Sequence, residues 1–433
     1  MGGQAARGIH NYPPRVINIE TNMTDPYFQQ LFADRIGGAE YGKSTAIYKF
    51  EKIKRAKRRA VAEFPNRALL DFGIGENDEM APESVRLRMA EEINRPENRG
   101  YADNGIDEFK EAVARFMERR LGVTLDAKSE VNHVIGSKSA LAILPACFIN
   151  PGDVALMTVP GYPVAGTHAK YYGGEVHPLP LLEKNNFLPD LDDIPDDVAT
   201  RAKLLVLNYP NSPTGALATK KFFGEVIDFA RQNDVVVVQD AAHIMLTFGA
   251  EPLSFLSIPG AKDVGVEVHS LSKGFNMIGW RIGWICGNER IVRAFADVKD
   301  NTDSGQFIAI QKAAAAALDD DAIPTATNTK YRRRLEKLVG VLSRSGFDCR
   351  MPGGSYFLYT KSPSGAAGGV QFETAEDASQ HLINEFSIST VPWDDAGAYL
   401  RFSATYVAAD EAAEDALMAE TERRLRDFEP VFG

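Results

Sequence analysis

The stretch Ser270-Leu-Ser272-Lys273-Gly-Phe-Asn-Met-Ile-Gly-Trp-Arg281-Ile-Gly283-Trp284 decides how the rest of the chain is read. Before it, residues 264–269 (Val-Gly-Val-Glu-Val-His) are apolar, alternating and rich in β-branched side chains, which predicts a buried strand. That strand runs into two serines and a lysine. Eight residues past the lysine stands Arg281, and a second strand-like run, 282–286, follows it. Desolvation disfavours the ammonium form of a lysine among apolar neighbours, and a neutral amine is a nucleophile toward a carbonyl. Two hydroxyls and a guanidinium beside it suit a phosphate, the arginine binding in bidentate fashion and the hydroxyls donating. A single ligand with both an aldehyde and a phosphate would use all of these side chains. A lysine that merely caps a surface loop is the plainer alternative.

Three more stretches bear on that choice: Tyr209-Pro-Asn211-Ser212-Pro-Thr-Gly215, Asp240-Ala-Ala-His243 and Tyr399-Leu-Arg401-Phe-Ser403. Together with Ser270-x-Ser272-Lys273 and Arg281-x-Gly283, and in the same order, they resemble the motifs of class I/II aminotransferases. Enzymes of that family are fold-type I proteins that use pyridoxal 5′-phosphate. The resemblance spans most of the chain. It implies an α/β fold: a large domain with a mostly parallel, seven-stranded sheet covered by helices, and a smaller α+β domain. The division it implies is an N-terminal arm with part of the small domain over 1–76, the large domain over 77–315 and the small domain over 316–433. It also implies roles. Lys273 takes the cofactor aldehyde and then moves the substrate proton. Asp240 faces the pyridine nitrogen, Ser270, Ser272 and Arg281 hold the phosphate, and Arg401 grips the substrate α-carboxylate.

Composition narrows the function classes. With 433 residues, 44% hydrophobic and 25% charged, the chain has material for more than one globular core. Its net charge of −11 disfavours a nucleic-acid partner, because phosphate backbones need basic surface. The three cysteines, Cys147, Cys286 and Cys349, are odd in number and lack metal-ligand spacing, which fits a reducing compartment and no metal site. No apolar run approaches the roughly 18 residues of a membrane helix. Residues 1–15 contain no apolar stretch of the kind a secretory signal carries. A cytoplasmic enzyme without a membrane partner is the expectation.

Taken in order, residues 1–45 show little periodicity and read as an extended arm. The basic run 52–59 has Ile53, Ala56 and Ala60 at helical spacing, so it reads as a solvated helix face rather than a nucleic-acid patch. A strand over 69–74 leads into Gly73-Ile-Gly75-Glu-Asn-Asp78, where position 78 lacks the glycine of a dinucleotide fingerprint. A helix is predicted over 107–120, with Phe109, Ala112, Val113, Phe116 and Met117 on one face and Asp107 as its cap. From 131 strands and helices alternate: strands over 131–135, 154–159, 204–207 and 235–238, helices over 138–149 and 222–231. Val-rich runs separated by helices argue for a parallel sheet covered on both faces. Asp240 falls just past the carboxyl end of a strand, where open α/β sheets place ligands. Gly136-Ser137-Lys138 opens a helix, whose free N–H groups suit a phosphate. Beyond 314 the pattern becomes a long helix over 329–343, a loop over 363–369, short strands over 387–391 and 399–402, and a closing helix over 409–428.

The resemblance extends to single residues. It places Ser137 and Lys138 at the cofactor phosphate, Tyr162 on the pyridine ring and Gly75 where a substrate carboxylate approaches backbone. It places Tyr101 at the phosphate of a partner subunit, and so implies a homodimer with shared sites in which Gln306 also faces substrate. Two positions depart from the family. Ser212 stands where Asn precedes Pro-Thr-Gly, with Asn211 one step earlier, so either can meet the cofactor's phenolic oxygen. His243 stands where Tyr contacts the same oxygen. Both replacements can hydrogen-bond. Among the family's members, the nearest resemblance is to the diaminopimelate aminotransferases of lysine biosynthesis, through Tyr48-Lys-Phe-Glu-Lys-Ile53, Gly75, Lys138 and Arg401. Tyr48 would then face substrate, and Lys138 and Asp103 would read its distal end. Substrates would be an amino acid and a 2-oxo acid, 2-oxoglutarate among them. The alternatives are an aminotransferase of other specificity, a β-lyase suggested by His243, and a cofactor-binding transcription regulator, against which the first 70 residues show no helix-turn-helix pattern.

Overall fold

The computed structural model describes residues 26–43 and 49–433. Continuous apolar runs require cover on both faces, and the central sheet supplies it. Its strands are β1 (Val131–Val134), β2 (Val154–Val159), β3 (Glu175–Pro180), β4 (Ala202–Asn208), β5 (Val236–Asp240), β6 (Gly265–Ser270) and β7 (Gly283–Gly287). They lie in the order β1-β7-β6-β5-β4-β2-β3. All neighbours are parallel except β7, which runs antiparallel to both β1 and β6. Successive side chains point to opposite faces. Leu205, Leu207 and Val237 enter one core, with Phe109, Phe116 and Phe223 from the helices Asp107–Leu121 and Lys220–Asn233. Leu204, Val206 and Val238 enter the other, with Leu141 and Leu144 from the helix Ser137–Phe148 and Phe295 from Glu289–Lys299.

A separate core belongs to a three-stranded antiparallel sheet of β8 (Phe357–Lys361), β9 (Val391–Trp393) and β10 (Tyr399–Ser403), in the order β9-β10-β8. Leu358, Leu400 and Phe402 pack there against Leu335 and Leu338 of the helix Ala322–Arg344, Leu382 of Ala375–Phe386 and Leu425 of Glu411–Phe428. Leu70 and Phe72 join this core, and the short strand Leu70–Asp71 pairs in parallel with Ile388–Ser389. Residues 73–78, which follow that strand, therefore pass between the two sheets' neighbourhoods.

Several expectations change. Asp107 does not cap its helix: the N-cap is Ile106, and its N–H is taken by Gln311 Oε1 at 2.9 Å from a distant helix. Asp107 becomes the first helical residue, where a carboxylate still meets the positive end of the dipole. The 363–369 loop contains part of a hairpin, Gly365–Ala366 with Val370–Gln371. The 387–391 strand is two pieces, Ile388–Ser389 and Val391–Trp393. Residues 26–43, in a unit of their own, are not extended. The Gln29 amide donates to the carbonyls of Ala39 and Tyr41 at 2.7 and 2.9 Å, which folds that segment back on itself. The helix Lys49–Glu63 buries Ile53, Ala56 and Ala60 beside Ile383 and Val391 and leaves Lys54, Arg58 and Arg59 in solvent. No helix among the described residues is long and apolar enough to cross a membrane.

Candidate active site

The carboxyl ends of β4, β5 and β6 lie side by side, with Asn208 opposite Asp240 and Asp240 opposite Val268. Asp240 is buried, and burial raises its carboxyl to about 6 although the Ala242 N–H donates to it at 3.1 Å. Asn208 ties the next loop to this strand. Its Nδ2 donates to the Asp240 carbonyl at 2.9 Å and its Oδ1 accepts from the Ser212 N–H at 2.8 Å. Asn211 in the same loop is 0% exposed. Its Oδ1 accepts from the N–H and Oγ1–H of Thr214 at 3.1 and 2.7 Å, and its Nδ2 is a buried donor without a partner among the described residues.

From β6 the chain enters a single turn, Leu271–Gly274, which Ser270 caps by accepting from the Ser272 N–H at 3.1 Å. Lys273 sits on this turn with its Nζ 2.9 Å from the Gly75 carbonyl, which also accepts from Tyr356 Oη at 2.8 Å. Burial draws the Lys273 ammonium down to about 8; Glu76 opposes the fall, and Arg401 and Arg281 add to it. Arg281 has φ 57°, a left-handed backbone that a residue with a Cβ adopts only when held. Its Nη1 lies 3.4 Å from Ser272 Oγ, and a Cβ at Gly136 would collide with its Nη2. Glycine there lets the guanidinium reach the start of the helix Ser137–Phe148, whose first residues are Ser137 and the exposed Lys138. Free N–H groups, the dipole and the Arg281 guanidinium thus converge at that helix start.

Arg401, on β10, is 6% exposed. Its Nη2 donates to the Gly73 carbonyl at 3.3 Å and its guanidinium lies 4.0 Å over the Phe357 ring. Burial lowers it to about 10, its Nε has no partner, and no carboxylate pairs with it among the described residues. A buried cation so placed is costly unless an anion comes to it. Gly75 faces this arginine: a Cβ there would stand 3.9 Å from Nη2.

The other expected residues fall as follows. His243 is buried, its Nδ1 3.1 Å from Ser355 Oγ and its ring edge-on to Tyr356, and burial holds it well below the usual imidazole range. Ser212 is half-buried, and Tyr162, 42% exposed, lies in the turn after β2. Tyr101 (86% exposed) and Asp103 lie on a surface loop whose Ala102 bridges to Gly305. Gln306 does not join this group. Within its own chain its amide is spent on the carbonyls of Trp280 and Arg281 and on His133 Nε2. Tyr48 lies outside the described residues. Three contributors went unrecognised in the sequence: Gly73, Tyr356, and Asn77, whose Nδ2 donates to the Lys273 carbonyl at 2.8 Å. Tyr356 lay in plain view in Gly353-Gly-Ser-Tyr-Phe, but nothing local ties it to a site 281 residues away.

The residues fit a ligand with an aldehyde, a phosphate and a ring oxygen. A desolvated amine, a helix terminus with an arginine cradle, and the partnerless Asn211 donor each match one of those groups. No cluster of three or more metal-ligating side chains occurs among the described residues. Residues 67–415 match the family described as aminotransferase class I and II. The chain is 57% identical to the LL-diaminopimelate aminotransferase of Methanocaldococcus jannaschii, over 94% of this chain and 100% of that protein. It is 54% identical to the protein of the same name from Methanococcus maripaludis, again over 94% and 100%. Among solved structures, substrate-bound BacF from Bacillus subtilis superposes with a TM-score of 0.82 at 29% identity, covering 93% of this chain and 98% of that one.

Proposed function

This chain belongs to the class I and II aminotransferases, and from that premise we propose that it exchanges an amino group between LL-2,6-diaminopimelate and 2-oxoglutarate, with pyridoxal 5′-phosphate as its cofactor. The observation that carries the proposal is the pairing of Lys273 and Arg401 on one short segment. Their side chains donate to the carbonyls of Gly75 and Gly73, two residues apart. A substrate whose carboxylate lies on Arg401 then presents its Cα on the side of the Lys273 amine, and carboxylate and reacting carbon are adjacent in every α-amino acid.

When bound, the cofactor supplies an aldehyde and an electron-accepting ring. Lys273 would be the amine that holds the aldehyde, and its neutral form would be the base for the proton at Cα. Asp240, a carboxylate anionic above about pH 6, favours a protonated ring nitrogen beside it. Ser270, Ser272 and Arg281, with Ser137 and Lys138 at the helix start, hold the phosphate, and Tyr162 covers the ring. Asn211, with its spare donor, is the stronger partner for the phenolic oxygen than Ser212, and His243 stands nearby through Tyr356. Arg401 takes the reacting carboxylate and Gly75 makes room for it.

The names of the two archaeal relatives support diaminopimelate as the donor, and so does the charge pattern. The distal end of that substrate carries both an ammonium and a carboxylate. Asp103 and Lys138, both exposed in the single chain, would read it, Asp103 from a partner subunit. A substrate lacking either charge strands a group, at a cost of about 1–3 kcal/mol. The reaction would serve lysine biosynthesis in the cytoplasm. An amino-donor screen with 2-oxoglutarate should put diaminopimelate at least about tenfold ahead of aspartate, alanine, lysine and aromatic amino acids, the ratio one such stranded group gives. Equal turnover of a simple aliphatic or aromatic donor would reject the substrate and leave the family untouched.

A further inference from the structure

Gln306 lies beside Arg281 without belonging to any expected contact, and its hydrogen bonds assign themselves. The Nε2 donates to the carbonyls of Trp280 and Arg281, both at 2.8 Å. A side-chain amide has two N–H donors, so both are spent. Its Oε1 must then accept, and the partner is His133 Nε2 at 2.9 Å. The proton of the His133 ring therefore sits on Nε2. Nδ1 is left a bare acceptor, buried without a partner among the described residues. Burial agrees, holding that imidazole near 4 and so neutral. Gln311 closes the arrangement: its Nε2 donates to the Gln306 carbonyl at 2.8 Å, and its Oε1 accepts from the Ile106 N–H at 2.9 Å.

The two pinned carbonyls flank and include the residue that needs holding. Arg281 is left-handed, with φ 57° and ψ 54°. In that conformation its guanidinium lies back over Gly136 and toward Ser272. A conformation that costs energy persists where its surroundings over-determine it, and Gln306 supplies two of the bonds that do so.

We propose that Gln306 is a positioning residue for the cofactor phosphate: it fixes the Trp280–Arg281 turn so that the guanidinium is already in place when the phosphate arrives. The proposal rests on Arg281 as a phosphate ligand. The test is binding rather than turnover. The full chain, stripped of cofactor, is titrated with pyridoxal 5′-phosphate and separately with pyridoxal, followed by the absorbance of the lysine-bound chromophore.

Arg281→Met should weaken pyridoxal 5′-phosphate strongly and pyridoxal little. If it treats the two alike, Arg281 is not the phosphate ligand and the inference falls with it. Gln306→Leu should weaken pyridoxal 5′-phosphate by about tenfold while pyridoxal changes by less than about twofold, the scale of lost positioning hydrogen bonds. If Arg281→Met discriminates but Gln306→Leu weakens both ligands equally, or neither, the inference is overturned and the Arg281 reading stands. Should Gln306→Leu fail to fold, Gln306→Met makes the same comparison, because it keeps the length of the side chain and removes both N–H donors. A selective loss of about threefold or more supports the proposal; an equal loss or none overturns it.

Discussion

The chemistry at Lys273 depends on how often its amine is neutral. Burial favours the neutral form, and the Glu76 carboxylate works against it. Replacing Glu76 by Gln removes the opposing charge, so the amine should titrate below about 8 rather than at it. Capture of the cofactor aldehyde follows the neutral fraction. In a stopped-flow titration of cofactor-free protein, the inflection of capture rate against pH should move to lower pH in Glu76→Gln, and capture at neutral pH should quicken. An inflection that stays put or rises would show that Glu76 does not act on this amine. Lys273, Asp240 and Arg401 were legible as candidates in the sequence because the tasks proposed for them demand one residue type each, and their short motifs carry it. Tyr356 and Asn77 were not. They act by hydrogen bonds to backbone across 281 and 196 residues, and many residue types in many places can make such bonds.

At the scale of elements, strands were the most legible part. Burial on both faces writes them as unbroken apolar runs, and the predicted 154–159 strand is β2 as observed. Apart from Gly75, residues 73–78 were legible only as the continuation of a strand, yet they hold the site together. Gly73 meets Arg401, Gly75 meets Lys273, and Asp78 meets Lys330 and Arg334 at 2.9 and 3.0 Å, with its side chain 3% exposed. Arg334 in turn bonds Glu414 at 2.7 Å and the carbonyls of Ala404 and Tyr406. Removing one partner of a buried ion pair leaves an uncompensated charge, so Asp78→Ala should cost about 3 kcal/mol in a denaturant titration. Arg423→Ala, which breaks an exposed pair with Glu420 at 2.8 Å, should barely move the midpoint. A similar small shift in both would mean the 73–78 segment is not clamped by Asp78. The Asp107 cap failed because the helix starts one residue earlier than expected: the N–H groups of Phe109 and Lys110, which an N-cap Asp107 would serve, are taken by the Ile106 carbonyl.

For the whole molecule, the sequence pointed to a sheet covered on both faces and to an α+β tail, but not to the order of the strands, which depends on crossovers no local pattern records. Nor does one chain account for Tyr101, 86% exposed beside the Ala102–Gly305 bridge. We propose that it reaches the phosphate of a second copy, making a homodimer with shared sites. Mixing Tyr101→Phe with Lys273→Ala protomers should restore activity above that of either alone; a fully active monomer at assay concentration would end that idea. All of this stands on one covalent assignment, that Lys273 is the residue joined to the cofactor. Reduction of the cofactor-loaded protein with borohydride, followed by peptide mapping, tests it most directly. The account predicts the label on the peptide containing Lys273 and no label on Lys273→Ala; a label on another lysine, or one that survives Lys273→Ala, would contradict it.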